Sequence, residues 1–428
     1  MTRESDLLDI RYLRENPEEG RKRLASRGRG DEVAVDRILE LDENRRRIIQ
    51  QVEGLKADRN KASKEIGARK SKQEPVDDLM VGLKALSDQI TGLDQELLKI
   101  EEVQRDVLLM TPNLPHASVP IGIDVAGNKE ERVWGSAVKF GFTPRTHWEI
   151  GKLRGILDFD QAAKISGSGF IVYRGLGARL ERVLINFLLD LHTSQHGYME
   201  IAPPFMVRGD CMVGTCQLPK FAEDMYQLKN EDLYLVPTAE VPVTNLHREE
   251  IISEANLPIR YTAYTPCFRR EAGSAGKDTR GMIRVHQFDK VELVHITRPE
   301  ESYTTLETLV GQVERVLQVL GLHYRVLSLC TGDMGFGAAK CYDLEVWSPG
   351  IGAWLEVSSC SNFEDFQARR MNLRYKSSEG KNILCHTLNG SGTALARLYI
   401  ALLETYQQSD GRVKLPEPLR QAMQCDFL

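Results

Sequence analysis

The sequence predicts an α+β protein in two parts: an N-terminal antiparallel α-helical coiled-coil arm, then an antiparallel β-sheet domain flanked by helices. Three observations predict this. Apolar residues recur at alternating spacings of three and four over positions 38–66 and again over 79–107. Two β-prone runs, 261–268 and 282–294, flank a loop rich in Gly, Ser, Lys, Asp and Arg, as in a long-looped hairpin. A helix-period run, with Leu180, Val183, Leu184, Phe187, Leu188 and Leu191 on one side, supplies a flanking helix.

Residues 1–30 give a short helical segment and a Gly/Arg-rich connector, LASRGRGDE. From about 31 to 110 the helical pattern is long. Positions 38, 41, 45, 48, 52, 55, 59, 62 and 66 are apolar except Arg45 and Arg59, and positions 79, 83, 86, 90, 93, 97, 100, 104 and 107 are apolar except Gln104. Pro75, in the break SKQEPVDD, separates two helices that pair as an antiparallel hairpin, each arm of ~35 residues reaching roughly 50 Å. Their outer positions are mostly charged, so the hairpin projects into solvent. Positions 44–72 hold ten Lys or Arg against three acids, and positions 75–110 hold eight acids against three bases. Positive charge confined to one helix and the tip suits a phosphate backbone, with Arg45, Arg46, Arg47, Lys56, Arg59, Lys61 and Lys64 as candidate RNA contacts. The alternative is a plain solvated face.

The proline-rich stretch TPNLPHASVPIG at 111–122 marks a boundary, giving domains 1–110 and 111–428. SGSGF at 166–170 lacks the GK[ST] of a phosphate loop and reads as a turn before a strand. The helix through Leu180 ends near Gly197. At 428 residues, 42% hydrophobic and 27% charged, with net charge −5, the chain has an ordinary globular composition. No apolar run approaches the length of a membrane span, and MTRESDLLDIRYLRENPEEG has no apolar signal core. Eight cysteines with no CxxC pair point to a reduced, cytoplasmic setting.

The hairpin carries the chemistry. Strand alternation places Arg269 and Glu271 on one face, and Arg284, His286, Phe288, Lys290 and Glu292 on one face of the return strand. Such a face is costly to bury without a ligand. ATP satisfies it, offering phosphate to a guanidinium, an exocyclic amine to a carboxylate and a purine to Phe288. LYLVPTAEVPV at 233–243 reads as a buried strand with Thr238 and Glu240 on one face, where the carboxylate needs a cation such as a substrate ammonium. GAWLEVSSCSNFEDFQARR at 352–370 puts Glu356 and Ser358 on one strand face, oxygen ligands suited to Mg²⁺ beside ATP. LNGSGTALARLYIALLE at 388–404 reads as a tight turn through Asn389, Gly390, Ser391 and Gly392 into an apolar helix. Arg397 then falls about one and a half turns in, on a face that asks for an anion or an aromatic plane.

FRREAGSAGKDTRGMIRVHQFDKVEL resembles the second signature motif of class II aminoacyl-tRNA synthetases, and the other two motifs stand in order around it. The match is closest to the bacterial-type seryl-tRNA synthetase family and covers the whole chain, arm included. The resemblance implies ATP-dependent activation of L-serine to seryl-adenylate and its transfer to the 3′ end of tRNA(Ser), and to tRNA(Sec) where present. It implies a homodimer formed through the 180–197 helix and YMEIAPPFMV, and an arm laid against the tRNA's long variable arm. It places Arg269, Arg270, Glu271, Val285, Phe288, Glu356, Val357, Ser358, Ser359 and Arg397 against ATP, with Arg269, Glu356 and Arg397 catalytic and Glu356 and Ser359 holding Mg²⁺. It places Thr238, Ala239, Glu240, Arg269, Glu292, Asn389 and Ser391 around serine. Glu292 then accepts the substrate hydroxyl, and a site built this way rejects alanine and glycine by ~10⁴ to 10⁵. One residue departs from the pattern: Arg270 stands where the family usually has Ser. Alternation turns it away from the Arg269 face, so nucleotide binding is expected to survive. Two other readings are weaker. A ligase acting on a carrier protein has no use for a basic arm, and a silent RNA-binding adaptor has no use for Arg269, Glu271, Phe288, Glu356 and Arg397 together.

Overall fold

The computed structural model describes residues 7–272 and 280–428. Most of the polar loop expected in the hairpin, 273–279, and the first six residues of the N-terminal segment lie outside the described residues. Two compact units emerge: one holds Arg29–Pro112 with the short helices before it, and the other holds Asn113–Leu428 with Ser26–Gly28.

The first unit is helical throughout: α1 (Ile10–Glu15), α2 (Pro17–Ala25), α3 (Val33–Ser71) and α4 (Asp77–Met110). Ile48, Val52 and Ile90 are buried where α3 meets α4, with Leu55, Leu93, Leu97 and Ile100 packed around them, all at predicted seam positions. Arg45, a polar seam residue, reaches Asp42 at 3.5 Å and Glu101 at 3.9 Å. The opposite charges of the two helices also meet at Lys56–Asp94 (3.7 Å) and Arg69–Asp78 (4.0 Å). The spacing gave no hint of Asp42, which is 1% exposed and takes Arg14 at 2.9 Å and Arg46 at 3.0 Å.

The second unit is built on one eight-stranded sheet. Its strands are β1 (Lys129–Trp134), β2 (Met199–Glu200), β3 (Ile259–Phe268), β4 (Gln287–Thr297), β5 (Tyr324–Ser328), β6 (Lys340–Ser348), β7 (Ala353–Asn362) and β8 (His386–Ala394). They lie in the order β1-β5-β6-β7-β8-β4-β3-β2, antiparallel except for the β2–β3 pair. The helices of this unit include α5 (His147–Arg154), α6 (Leu176–His196), α7 (Glu240–Thr244), α8 (Ser302–Val319) and α9 (Leu395–Thr405). Leu184 and Leu188 of α6, Val310 and Val313 of α8 and Leu398 and Leu402 of α9 share one core with Val291 and Leu293 of β4. Lys290 and Glu292, alternating with those two, line a cavity instead. Helix α6 stops at Gly197, whose φ of +72° closes the last turn.

Four local expectations are corrected. The return strand of the hairpin begins at Gln287, not Met282, because the His286 amide leaves the ladder to bond Gly169 O at 2.8 Å. Arg269 and Glu271 lie past the end of β3, and Glu271 sits at φ +51°, so alternation is not what groups them. The 233–243 segment is strand only over Leu233–Leu235. Pro237 cannot donate to a ladder, and Thr238 Oγ1 accepts the Glu240 amide (3.2 Å) to start α7. Asn389 to Gly392 are strand β8 rather than a tight turn, which puts Arg397 third in α9, in its first turn. The 111–122 stretch is also less loose than its prolines suggest. Leu114 and Val119 are buried, and the Asn113 side chain donates to Gly337 O and Phe363 O, both at 2.9 Å. All eight cysteines are unbridged.

Candidate active site

A cavity of about 580 Å³ opens on the face of the sheet opposite that core. One end is aromatic and cationic. The Arg269 guanidinium lies 5.2 Å from the centroid of Phe288, and its Nε donates to Pro237 O at 3.2 Å. Arg397 donates from Nη1 to Glu356 O (2.8 Å) and from Nε to Ile283 O (3.3 Å), and approaches the Glu356 carboxylate at 3.3 Å. Glu271 pairs with Arg284 at 3.0 Å. Such a wall has a π-face and two guanidiniums for one phosphorylated planar ligand.

The other end is a small polar pocket. Glu292, 1% exposed, accepts from Thr238 Oγ1 (2.8 Å) and Asn389 Nδ2 (3.0 Å) and pairs with Lys290. Lys290 also donates to Thr238 Oγ1 at 2.7 Å. Glu240 accepts from Gln367 Nε2 at 2.7 Å, and Thr387 orients that amide from its other side at 2.7 Å. Burial, and next the negative charge of Glu292, raise the Glu240 carboxyl to about 7, with the Gln367 bond and the Lys290 and Arg269 charges opposing.

A bulge in β7 joins the two ends. Glu356 pairs with Glu345, but Ser358 pairs with Leu344 and Ser359 with Asp343, so one extra residue shifts the alternation at Val357. The expected Glu356 and Ser358 face is thereby replaced: Glu356 shares its face with Ser359 and Asp343, while Ser358 bonds Ser391 O at 2.6 Å. Burial and the Glu356 charge hold the Asp343 carboxyl well above the usual range, with the Ser359 hydroxyl opposing. This oxygen-only set suits a hard divalent cation. Among the described residues no three His, Cys, Asp or Glu side chains form a complete metal cage.

Of the residues singled out from sequence, Thr238, Glu240, Arg269, Glu271, Val285, Phe288, Glu292, Glu356, Val357, Ser358, Ser359, Asn389, Ser391 and Arg397 all line this one cavity. Ala239 does not; it is buried with Val243, Ala263 and Val294. Arg270 does not line it either, and its backbone amide bonds Asp224 O at 2.9 Å. His286, expected on the ligand face, has its ring turned to Phe170 and bonded to Arg269 O. Sequence reasoning assigned no role to Lys290, Gln367 or Asp343. A lysine two residues before a buried glutamate on the same strand was the available signal for the first.

The chain is similar to known proteins over nearly its whole length. The class II tRNA synthetase core domain (G, H, P, S and T) matches residues 223–406, and the seryl-tRNA synthetase N-terminal domain matches 7–115. The serine–tRNA ligase of Methylacidiphilum infernorum is 56% identical, over 99% of this chain and 100% of its own length. The seryl-tRNA synthetase of Pyrococcus horikoshii complexed with ATP superposes with a TM-score of 0.93 at 38% identity, over 98% of this chain and 99% of that one. The cytoplasmic serine–tRNA ligase of Naegleria fowleri in complex with AMP gives 0.88 at 32%, over 98% of both chains. With its N-terminal and core regions both matched by family models, and relatives matched over their full length, the chain belongs to the seryl-tRNA synthetase family of class II aminoacyl-tRNA synthetases.

Proposed function

We propose that this chain activates L-serine with ATP and transfers the seryl group to the 3′ end of tRNA(Ser). The observation that carries it is one cavity holding both the Arg269, Phe288 and Arg397 wall and the Thr238, Glu240, Glu292 and Asn389 pocket. Phe288 and Arg397 take the two faces of the adenine, Glu240 takes the serine ammonium and Glu292 its hydroxyl. The serine carboxylate then attacks the α-phosphorus in line, and Arg269 stabilises the charge gathering on the phosphate oxygens as pyrophosphate leaves. The terminal ribose hydroxyl of the tRNA next attacks the mixed anhydride, releasing AMP. No side chain acts as a covalent nucleophile. Glu356 and Ser359 would hold Mg²⁺, which when bound supplies counter-charge to the phosphates.

In amino-acid-dependent ATP–pyrophosphate exchange without tRNA, serine alone of the twenty amino acids supports exchange. Its KM rises about tenfold per unit as pH falls below about 7, because the protonated Glu240 no longer pairs with the ammonium. Exchange with another amino acid sinks the reading.

The arm of α3 and α4 contacts the tRNA backbone. Arg45 and Arg46 are already compensated by Asp42, whereas Arg47, Arg59 and Lys64 have no carboxylate within 4.0 Å among the described residues. Neutralising these three lowers the slope of log Kd against log salt by about 2–3; an unchanged slope removes the arm from the contact. The same acceptor end admits tRNA(Sec) where a cell makes it. The exposed apolar side chains of Met199 in the edge strand β2, and of Phe205 and Met206 in the segment that follows it, support a homodimer. No helix among the described residues is long and apolar enough to cross a membrane, which is compatible with a cytoplasmic protein.

A further inference from the structure

We infer that His147, held by Glu404, is a positioning residue for the nucleotide: its imidazole fixes the backbone that forms one wall of the ATP site. The inference rests on the ATP reading above. Neither residue lines the cavity, and both side chains are fully buried. Glu404 Oε1 accepts the His147 amide at 2.8 Å and Nδ1 at 3.0 Å. Its other oxygen accepts Ser348 Oγ and the amides of Gly350 (2.9 Å) and Ile351 (3.1 Å). A ring whose Nδ1 donates to a carboxylate leaves Nε2 as an acceptor in the neutral tautomer, and Nε2 takes the Met282 amide at 3.0 Å.

That bond falls where the sheet provides none. Met282, Ile283, Arg284 and Val285 line the cavity but precede β4, so they lack a ladder to fix them. Side chains take its place: His147 on Met282 N, Arg397 on Ile283 O and Glu271 on Arg284. Arg397 and Glu404 stand seven residues apart on α9, two turns, so one helix sets both ends of the support. Approach of the ring requires glycine next door. At Gly281, φ +72°, an added Cβ would come within 2.1 Å of His147 Nε2.

Two substitutions separate the two bonds. His147→Asn keeps a donor near Glu404 and loses the acceptor for Met282, while His147→Gln can return an acceptor oxygen to the Nε2 position. In serine-dependent exchange, His147→Asn raises the KM for ATP about tenfold, the worth of one hydrogen bond, and leaves the KM for serine within about twofold. His147→Gln recovers most of that loss. Parallel rises in both KM values, identical behaviour of the two variants, or no change in either overturns the inference. Ring-¹⁵N spectra of the wild-type protein, with His147 assigned, give a second readout should a variant not fold: Nε2 unprotonated supports the proposal and Nε2 protonated overturns it. If the wild type shows no serine exchange, the functional reading fails, and the spectrum together with ATP affinity measured by equilibrium binding still judges the role of His147.

Discussion

Arg269→Ala abolishes adenylation: serine-dependent exchange falls by about 10³-fold or more while the melting temperature stays close to wild type. The asymmetry follows from what this side chain touches. Its Nε holds Pro237 O at 3.2 Å and the guanidinium rests on Phe288, but among the described residues no carboxylate lies within 4.0 Å of it. Its loss therefore costs folding only one neutral-acceptor bond and an aromatic contact, together about 1–2 kcal/mol. In the reaction the same group faces the negative charge that builds on the α-phosphate, inside a cavity where a preorganised cation is worth far more than in water. Arg269→Lys keeps the charge without the planar fork and regains only part of the rate. Exchange rates read alongside thermal melts decide the matter. An Arg269→Ala protein that still exchanges at a normal rate removes Arg269 from the chemistry.

The arm and the outline of the sheet were legible because both are periodic. The seam at Ile48, Val52 and Ile90 could be read off spacing alone, and the Val291–Leu293 core against the Lys290–Glu292 cavity follows from a period of two. The site residues were legible mainly through the motif resemblance, since the rules that grouped them locally fail at the points where they act. Glu271 has left the strand, Thr238 and Glu240 flank a turn, and a bulge at Val357 exchanges Ser358 for Ser359 beside Glu356. At Val357 the bulge brings to the Glu356 side a hydroxyl, Ser359, that a regular strand would have sent to the other face; at Glu271 and Glu240 a different backbone path reaches the grouping that alternation assumed. Gln367 and His147 were illegible for a different reason. Their partners, Glu240 and Met282, are 127 and 135 residues away in the chain, and no local pattern encodes such a meeting.

The Lys290–Glu292 pair gives the second large effect, and it separates stability from specificity. Glu292 accepts from Thr238, Lys290 and Asn389, which uses three of about four acceptor sites on a carboxylate and leaves one for a substrate hydroxyl. Glu292→Ala therefore lowers kcat/KM for serine by about 10³-fold and narrows the preference for serine over alanine, because no buried acceptor then penalises the missing hydroxyl. It also strands the Lys290 ammonium, whose side chain is 9% exposed, without its carboxylate; loss of one partner from a buried pair costs about 3–5 kcal/mol. Adding Lys290→Met removes the stranded charge, so the double variant regains most of the lost stability. It regains none of the serine activity, since the acceptor is still absent. Chemical denaturation of the wild type, both single variants and the double variant yields the coupling between the two residues, and exchange with serine and alanine yields the specificity. A double variant that recovers serine exchange together with stability would mean that Glu292 only neutralises Lys290, and that another group in the pocket recognises the substrate hydroxyl.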